Sequence, residues 1–210
     1  MRVIPPADHP NEFVAGALAL DFTNTLGGTH TAPTHEHIHR YEALVEFARS
    51  AGALQTDDAK RLVEAARRQP ARAAEVLRRA VALREATWRV FSSLASETSP
   101  DESDLDHLML ETGEALMHSR FVRRGEAFAP DESAELSLER PLWPIARSAY
   151  DLLTSEHDIR WVRECASETC EWLFVDRSRS HTRRWCDMND CGNRAKQRRL
   201  RQRATKTKSR

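Results

Sequence analysis

All four cysteines of this 210-residue chain fall between positions 165 and 191, as two C-x4-C pairs with fifteen residues between them: Cys165 with Cys170, and Cys186 with Cys191. Four thiolates supply the soft, tetrahedral ligand set of a structural Zn2+, and a short C-x2–4-C spacing, at whose upper end both pairs lie, lets one tight loop offer two sulfurs to one ion. The fillers Ala166-Ser167-Glu168-Thr169 and Asp187-Met188-Asn189-Asp190 are small or polar, as such loops require. A redox pair uses C-x-x-C, which is absent. A catalytic zinc keeps one position open for water, whereas four cysteines close the site. One structural Zn2+ per chain, on Cys165, Cys170, Cys186 and Cys191, is therefore expected. It should supply much of the stability of a segment too short to bury a core alone.

The formal net charge of zero hides a segregation. Residues 160–210 carry 15 Lys+Arg and 6 Asp+Glu, and the run Arg194–Arg210 has 9 basic residues and no acidic one. The remainder is acidic by the same margin. A basic end of this kind suits a polyanion, and an acidic body keeps that polyanion from binding elsewhere. No apolar run approaches the ~20 residues of a membrane helix, and the N-terminus lacks a signal-type stretch, so a cytoplasmic protein is expected. Reduced thiols in that compartment favour metal over disulfide.

Periodicity predicts an α+β chain: a mostly helical N-terminal domain over residues 1–157 with a small β element, then a finger over 160–204 and a disordered basic tail over 205–210. In the segment GALALDFTNTL, Leu18, Leu20 and Phe22 alternate as in a strand, with a short helix as the other reading. GGTHTAPTHEH reads as a loop. Helices are expected over about 38–51, ending at Gly52, over 56–68 with a Thr56-Asp57-Asp58 cap, over 70–95 from Pro70, over about 102–117 after Ser99-Pro100-Asp101-Glu102, and over 141–154. FVRRGEAFAP and AELSLER read as two strands turning around Pro130-Asp131.

Within the finger, Trp172 to Val175 reads as a strand, Arg177 to His181 as a turn, and Thr182 to Trp185 as a returning strand. A basic helix should follow from Asn193 to about Arg203. This order of knuckle, hairpin, knuckle and helix is treble-clef-like, with Gly192 releasing backbone strain at the helix entrance. The helix has almost no apolar face beyond Ala195 and Leu200, so it gains little from packing. Arg194, Arg198 and Arg201 share one face, and Lys196, Arg199 and Arg203 form a second group. Guanidinium groups grip phosphates bidentately and read guanine edges. With Arg177, Arg179, Arg183, Arg184 and Asn193 these residues form the candidate nucleic-acid surface.

Trp185-Cys186-Asp187-Met188, then Cys191-Gly192-Asn193-Arg194, resembles the CGNR zinc finger, and Cys165-x4-Cys170 with Trp172-Leu173-Phe174 and Asp176 matches upstream. Leu20-Asp21-Phe22-Thr23-Asn24-Thr25 and Pro144-Ile145-Ala146-Arg147-Ser148 are similar to the ABATE domain, which precedes this finger in bacterial proteins. A more usual family string has Val where Thr23 stands. The resemblance implies a stress-induced transcription regulator. It adds weight to the zinc assignment and to DNA binding, and names no operator or effector.

The remaining candidates are weaker. His35, His37 and His39, with His30 nearby, could hold a metal or anion if extended, but a histidine-decorated loop is the simpler reading. Asp21 and Asn24 sit in an apolar context. They would tie backbone groups together or, less simply, bind a small-molecule effector. Trp88, Trp143 and Trp161 read as core or interface residues, and Trp172 and Trp185 as packing the finger on the body. Three function classes follow: a DNA-binding regulator working as a homodimer or with an effector, an RNA- or ribosome-associated zinc protein, and an enzyme with its site in the N-terminal domain around Asp21, Asn24 and His35 to His39. The third is disfavoured because no nucleophile elbow, P-loop, dinucleotide fingerprint or zincin motif is present.

Overall fold

The computed structural model describes residues 11–131 and 136–208, with side chains in the last helix through Arg201. The chain is α+β. Among the described residues seven α-helices alternate with three two-stranded antiparallel sheets. Helix α1 (Leu18–Thr23) is followed by the hairpin β1 (Leu26–Gly28) and β2 (Pro33–Glu36), then by α2 (Tyr41–Ser50), α3 (Thr56–Arg68), α4 (Pro70–Ala95) and α5 (Glu102–Met117). The hairpin β3 (Arg120–Arg124) and β4 (Ala127–Asp131), helix α6 (Trp143–Leu153), strands β5 (Val162–Glu164) and β6 (Leu173–Val175), and helix α7 (Asn193–Lys208) complete it. No helix among the described residues is long and apolar enough to cross a membrane.

The long helices stand where periodicity and caps put them. Pro70 opens α4, and Asp101 caps α5 by accepting from the Ser103 amide at 2.8 Å. Gly52 follows α2 at φ +74°, a conformation that a side chain would strain. The N-cap of α3 is Gln55, without a side-chain bond, so Asp57 and Asp58 act instead as first-turn charges against the helix dipole.

Four local expectations change. The segment after the first glycines is a hairpin rather than a loop, with Leu26 opposite Glu36 and Gly27 opposite His35. The LDFTNT segment is helical, and its alternation reflects burial on all sides, since Ala19 to Thr23 are buried. The second hairpin turns at Gly125 (φ +66°), so both strands lie within RFVRRGEAFAPD and Pro130 pairs with Phe121 near the far end. Of the expected second strand, residues 132–135 lie outside the described residues, and Leu138 to Arg140 form a turn held by the Tyr41 hydroxyl on the Leu138 carbonyl (2.9 Å). The fourth change concerns the finger and is taken up with the metal site.

Two apolar clusters divide the interior. One joins α2, α3, the first half of α4 and the start of α6, around Phe22, Phe47, Leu62 and Leu83. The other joins α1, the second half of α4, α6, β5 and β6, around Leu20, Phe91, Leu173 and Phe174, and all four cysteines belong to it. The finger therefore has no core of its own. It completes the core of the helical body.

Candidate metal centre and basic helix

Strand β5 hands the chain to the first knuckle and β6 receives it, because β6 pairs with β5 (Val162 with Val175, Glu164 with Leu173) and not with residues 182–185. The expected returning strand is absent for a chemical reason: the buried Asp176 carboxylate collects that segment instead. It accepts from the Ser178 amide (3.0 Å), the Ser178 hydroxyl (2.6 Å) and the Arg183 amide (2.8 Å), which coils residues 177–183 into a compact loop. His181, at φ +48°, stacks on Trp161 at 3.6 Å and turns Nδ1 to the Asp176 carbonyl, so it takes no part in the metal site. The second knuckle is one π turn, Met188–Gly192, capped by Asp187, and it feeds directly into α7. Gly192 has no positive φ to relieve; a Cβ there would lie 2.5 Å from the Met188 sulfur, and the exposed Met188 side chain would have to move aside.

The four sulfurs lie within 4.8 Å of one another and are buried. Cys170 and Cys186 are 3.7 Å apart, and Cys186 and Cys191 are 3.6 Å apart. A tetrahedron with ~2.3 Å Zn–S bonds has sulfurs ~3.8 Å apart, whereas a disulfide needs ~2.05 Å. The quartet is a structural site for one Zn2+. It is also the only group of metal-competent side chains among the described residues. Around it, the Cys165 amide donates to the Trp172 carbonyl (2.9 Å), and the Arg194 guanidinium donates to the Cys191 sulfur (2.9 Å) while pairing with Asp190 (2.9 Å). Such outer contacts fix ligand orientation and offset thiolate charge.

The basic residues do not form one surface. Arg183 is committed inward: it donates to the carbonyls of Val14, Trp185 and Cys186 and lies over the Phe174 ring at 4.3 Å. Arg177 pairs with Asp158 (2.6 Å), and Arg198 with Glu168 of the first knuckle (2.7 Å). Arg194 serves the metal site, as above. Arg179 and Arg184 are exposed, the latter over Trp185. On the outer side of α7, Asn193, Lys196 and Arg199 are exposed, and Lys196 and Arg199 make no ion pair with the described residues. Arg201, two residues after Arg199, is also exposed, and the side chain of Arg203 lies outside the described residues. Helix α7 itself continues to Lys208, into the segment expected as a tail.

The finger is bonded to the body by Asn24 and Trp172, in the roles expected of them, and by Trp88 and Ser92. Asn24 donates its amide to the Leu173 carbonyl and accepts from the Leu173 amide, both at 2.9 Å, so it acts as one more residue of strand pairing along β6. The Trp172 indole donates to the Leu26 carbonyl and the Trp88 indole to the Glu171 carbonyl. Ser92 of α4 donates to Glu164 (2.7 Å). His30 stacks on Trp88 at 3.5 Å between Glu85 and Glu171, and burial holds it below its ordinary pKa despite those carboxylates. The His35 ring lies against Gly27, where a Cβ would come within 1.9 Å of it. His35 and His37 meet edge to face at 5.3 Å and His39 turns to the His37 carbonyl (3.2 Å), and the four histidines form no metal cluster among the described residues.

Asp21 accepts from the Ala15 amide at 2.9 Å, fixing the entry to α1. Burial raises its pKa from 3.8 to about 6, against the backbone hydrogen bonds that lower it. The folded state holds that proton more tightly than the unfolded chain, so stability falls as pH rises from about 4 to about 6 and is level above. Asp21→Asn keeps the acceptor and removes the charge. In urea melts, the wild type should lose stability relative to this variant across that window. Parallel pH profiles would show that Asp21 is ionised at its ordinary pKa.

A search of the curated proteins finds no match to the chain. Two family models do match: the CGNR zinc finger over residues 161–204, and over residues 16–156 the ABATE domain, described as "Putative stress-induced transcription regulator". The four cysteines, the Cys-Gly-Asn-Arg run at the mouth of α7, and a helical body matched over most of its length lead to one conclusion: the chain belongs to the ABATE family and carries a C-terminal CGNR zinc finger.

Proposed function

We propose that this protein is a bacterial transcription regulator that grips duplex DNA through the outer side of α7, with zinc as scaffold and not as catalyst. The observation that carries the reading is the division of labour among the basic residues. Arg194 and Arg198 are spent on the knuckles, while Lys196 and Arg199 stand exposed, with no ion pair among the described residues, on a helix with almost no apolar face. A helix so poor in packing is stabilised by its knuckle at one end and by a polyanion along its length. Arg179 and Arg184, exposed on the preceding loop, extend the same charge.

Charge reversal at Lys196 and Arg199 tests this while leaving zinc and core untouched. Anisotropy titrations on a random duplex pool should show affinity lowered at least about tenfold. The slope of log K against log salt should become shallower by roughly 1.8, at ~0.9 per lost phosphate contact. Equal affinity and slope in the double variant would end the proposal. Competition by structured RNA at matched salt separates DNA from RNA: if RNA wins, the protein is an RNA- or ribosome-associated zinc protein instead.

A further inference from the structure

Helix α5 buries one side and leaves the other bare. Leu108, Thr112 and Ala115 face the interior, with the Thr112 hydroxyl reaching the Ala146 carbonyl of α6. Glu111 pairs inward with Arg79, and Asp104 with Arg89. On the opposite side Met109, Leu110, Leu116 and Met117 are 60, 65, 52 and 75% exposed. The hairpin that leaves the helix adds Phe121 (79%) and Phe128 (59%) on one face of its two strands. These six side chains leave roughly 700 Å² of apolar surface in water, close to the ~800 Å² that each partner contributes to a stable interface.

Two further observations identify what covers it. Gly113 sits in the middle of the bare stripe, in the interior of a 16-residue helix, and a Cβ there would meet nothing within 4 Å. Glycine costs a helix interior about 1 kcal/mol relative to alanine, and no contact among the described residues offsets that cost. A second helix crossing at that point does, because the missing Cβ lets two backbones approach. The charges at the two ends of the stripe are opposite, with Asp106 one turn before Met109 and Arg120 just past Met117, both exposed.

We propose that this face is a homodimer interface, in which α5 packs antiparallel on α5 of a second copy about a two-fold axis at Gly113. In that register Leu110 meets Leu116 of the second copy, Met109 meets Met117, and Asp106 meets Arg120. Each contact occurs twice, as an isologous interface requires. The stripe is self-complementary in apolarity and charge about Gly113, which an interface for a different protein has no reason to be.

Sedimentation velocity on the zinc-loaded full chain, over a concentration series, tests the assembly. The wild type should be dimeric at tens of micromolar, within the ordinary affinity range of such interfaces. Leu110→Glu should raise the dissociation constant at least about tenfold. Asp106→Arg and Arg120→Asp should each weaken the dimer, and the two together should restore it, because the swapped charges meet again across the axis. All three positions are exposed, so the fold is not at stake. A wild type that stays monomeric throughout, leaving the face to another protein or to residues outside those described, would overturn the proposal. So would a double charge swap no better than the singles.

Discussion

Stripping the zinc, or replacing Cys186 with Ser, should melt the helical body and not the finger alone. The four cysteines lie in one apolar cluster with Leu20, Phe91, Ala149, Leu173 and Phe174, residues that come from α1, α4, α6 and β6. Asn24 is bonded to the backbone of β6, and the Val175 amide to the Ala15 carbonyl. Without the ion the knuckles lose closure, β6 loses its anchor, and α1 and α4 are left with an open apolar face. Structural zinc contributes on the order of 10 kcal/mol to the modules that it holds, comparable to the ~5–15 kcal/mol that keeps a whole domain folded. The far-UV circular dichroism melt of the stripped protein should fall by roughly 20–40 °C. An unchanged helical melt, with zinc loss verified by a colorimetric chelator, would show instead that the finger unfolds by itself.

Arg84→Met should be the most damaging single substitution away from the metal. Arg84 is 2% exposed in the middle of α4 and grips both carboxylate oxygens of Glu36 (2.6 and 2.8 Å), Glu85 (3.1 Å) and the Thr25 hydroxyl (3.2 Å). It thereby ties the first hairpin to the central helix. Losing one partner of a buried pair leaves the other charge without compensation, at about 3–5 kcal/mol, or roughly 10 °C in the midpoint of a chain this size. Adding Glu36→Gln should recover part of the loss, because it removes the stranded carboxylate. A double variant no better than Arg84→Met would mean that packing of the guanidinium, and not its charge, is what matters.

The metal site was legible because its signal is local: two short cysteine spacings and a glycine-asparagine-arginine run fix the ligands without help from the rest of the chain. The long helices were legible for a similar reason, since Pro70, Asp101 and Gly52 punctuate them. Legibility failed where distant residues decide. Residues 182–185 do not pair as a strand because Asp176 captures the loop before them. Arg183 and Arg184 are adjacent and chemically alike, yet one is turned inward by carbonyls from Val14 and Cys186 and the other faces water. Two signals were available in the sequence. Arg84 interrupts the apolar stripe of α4 at a stripe position, which marks a buried charge seeking partners. Gly113 interrupts a helix with no turn to make.

The shared core bears on what can be done with this finger. A module with its own interior can be cut out and fused elsewhere as a cassette. Here the cysteines line the same interior as Leu20 and Phe91, so the excised finger would carry one raw apolar wall, and the truncated body another. Testing the proposed DNA contacts in a different protein calls for grafting the outer residues of α7 onto a finger that already folds unaided.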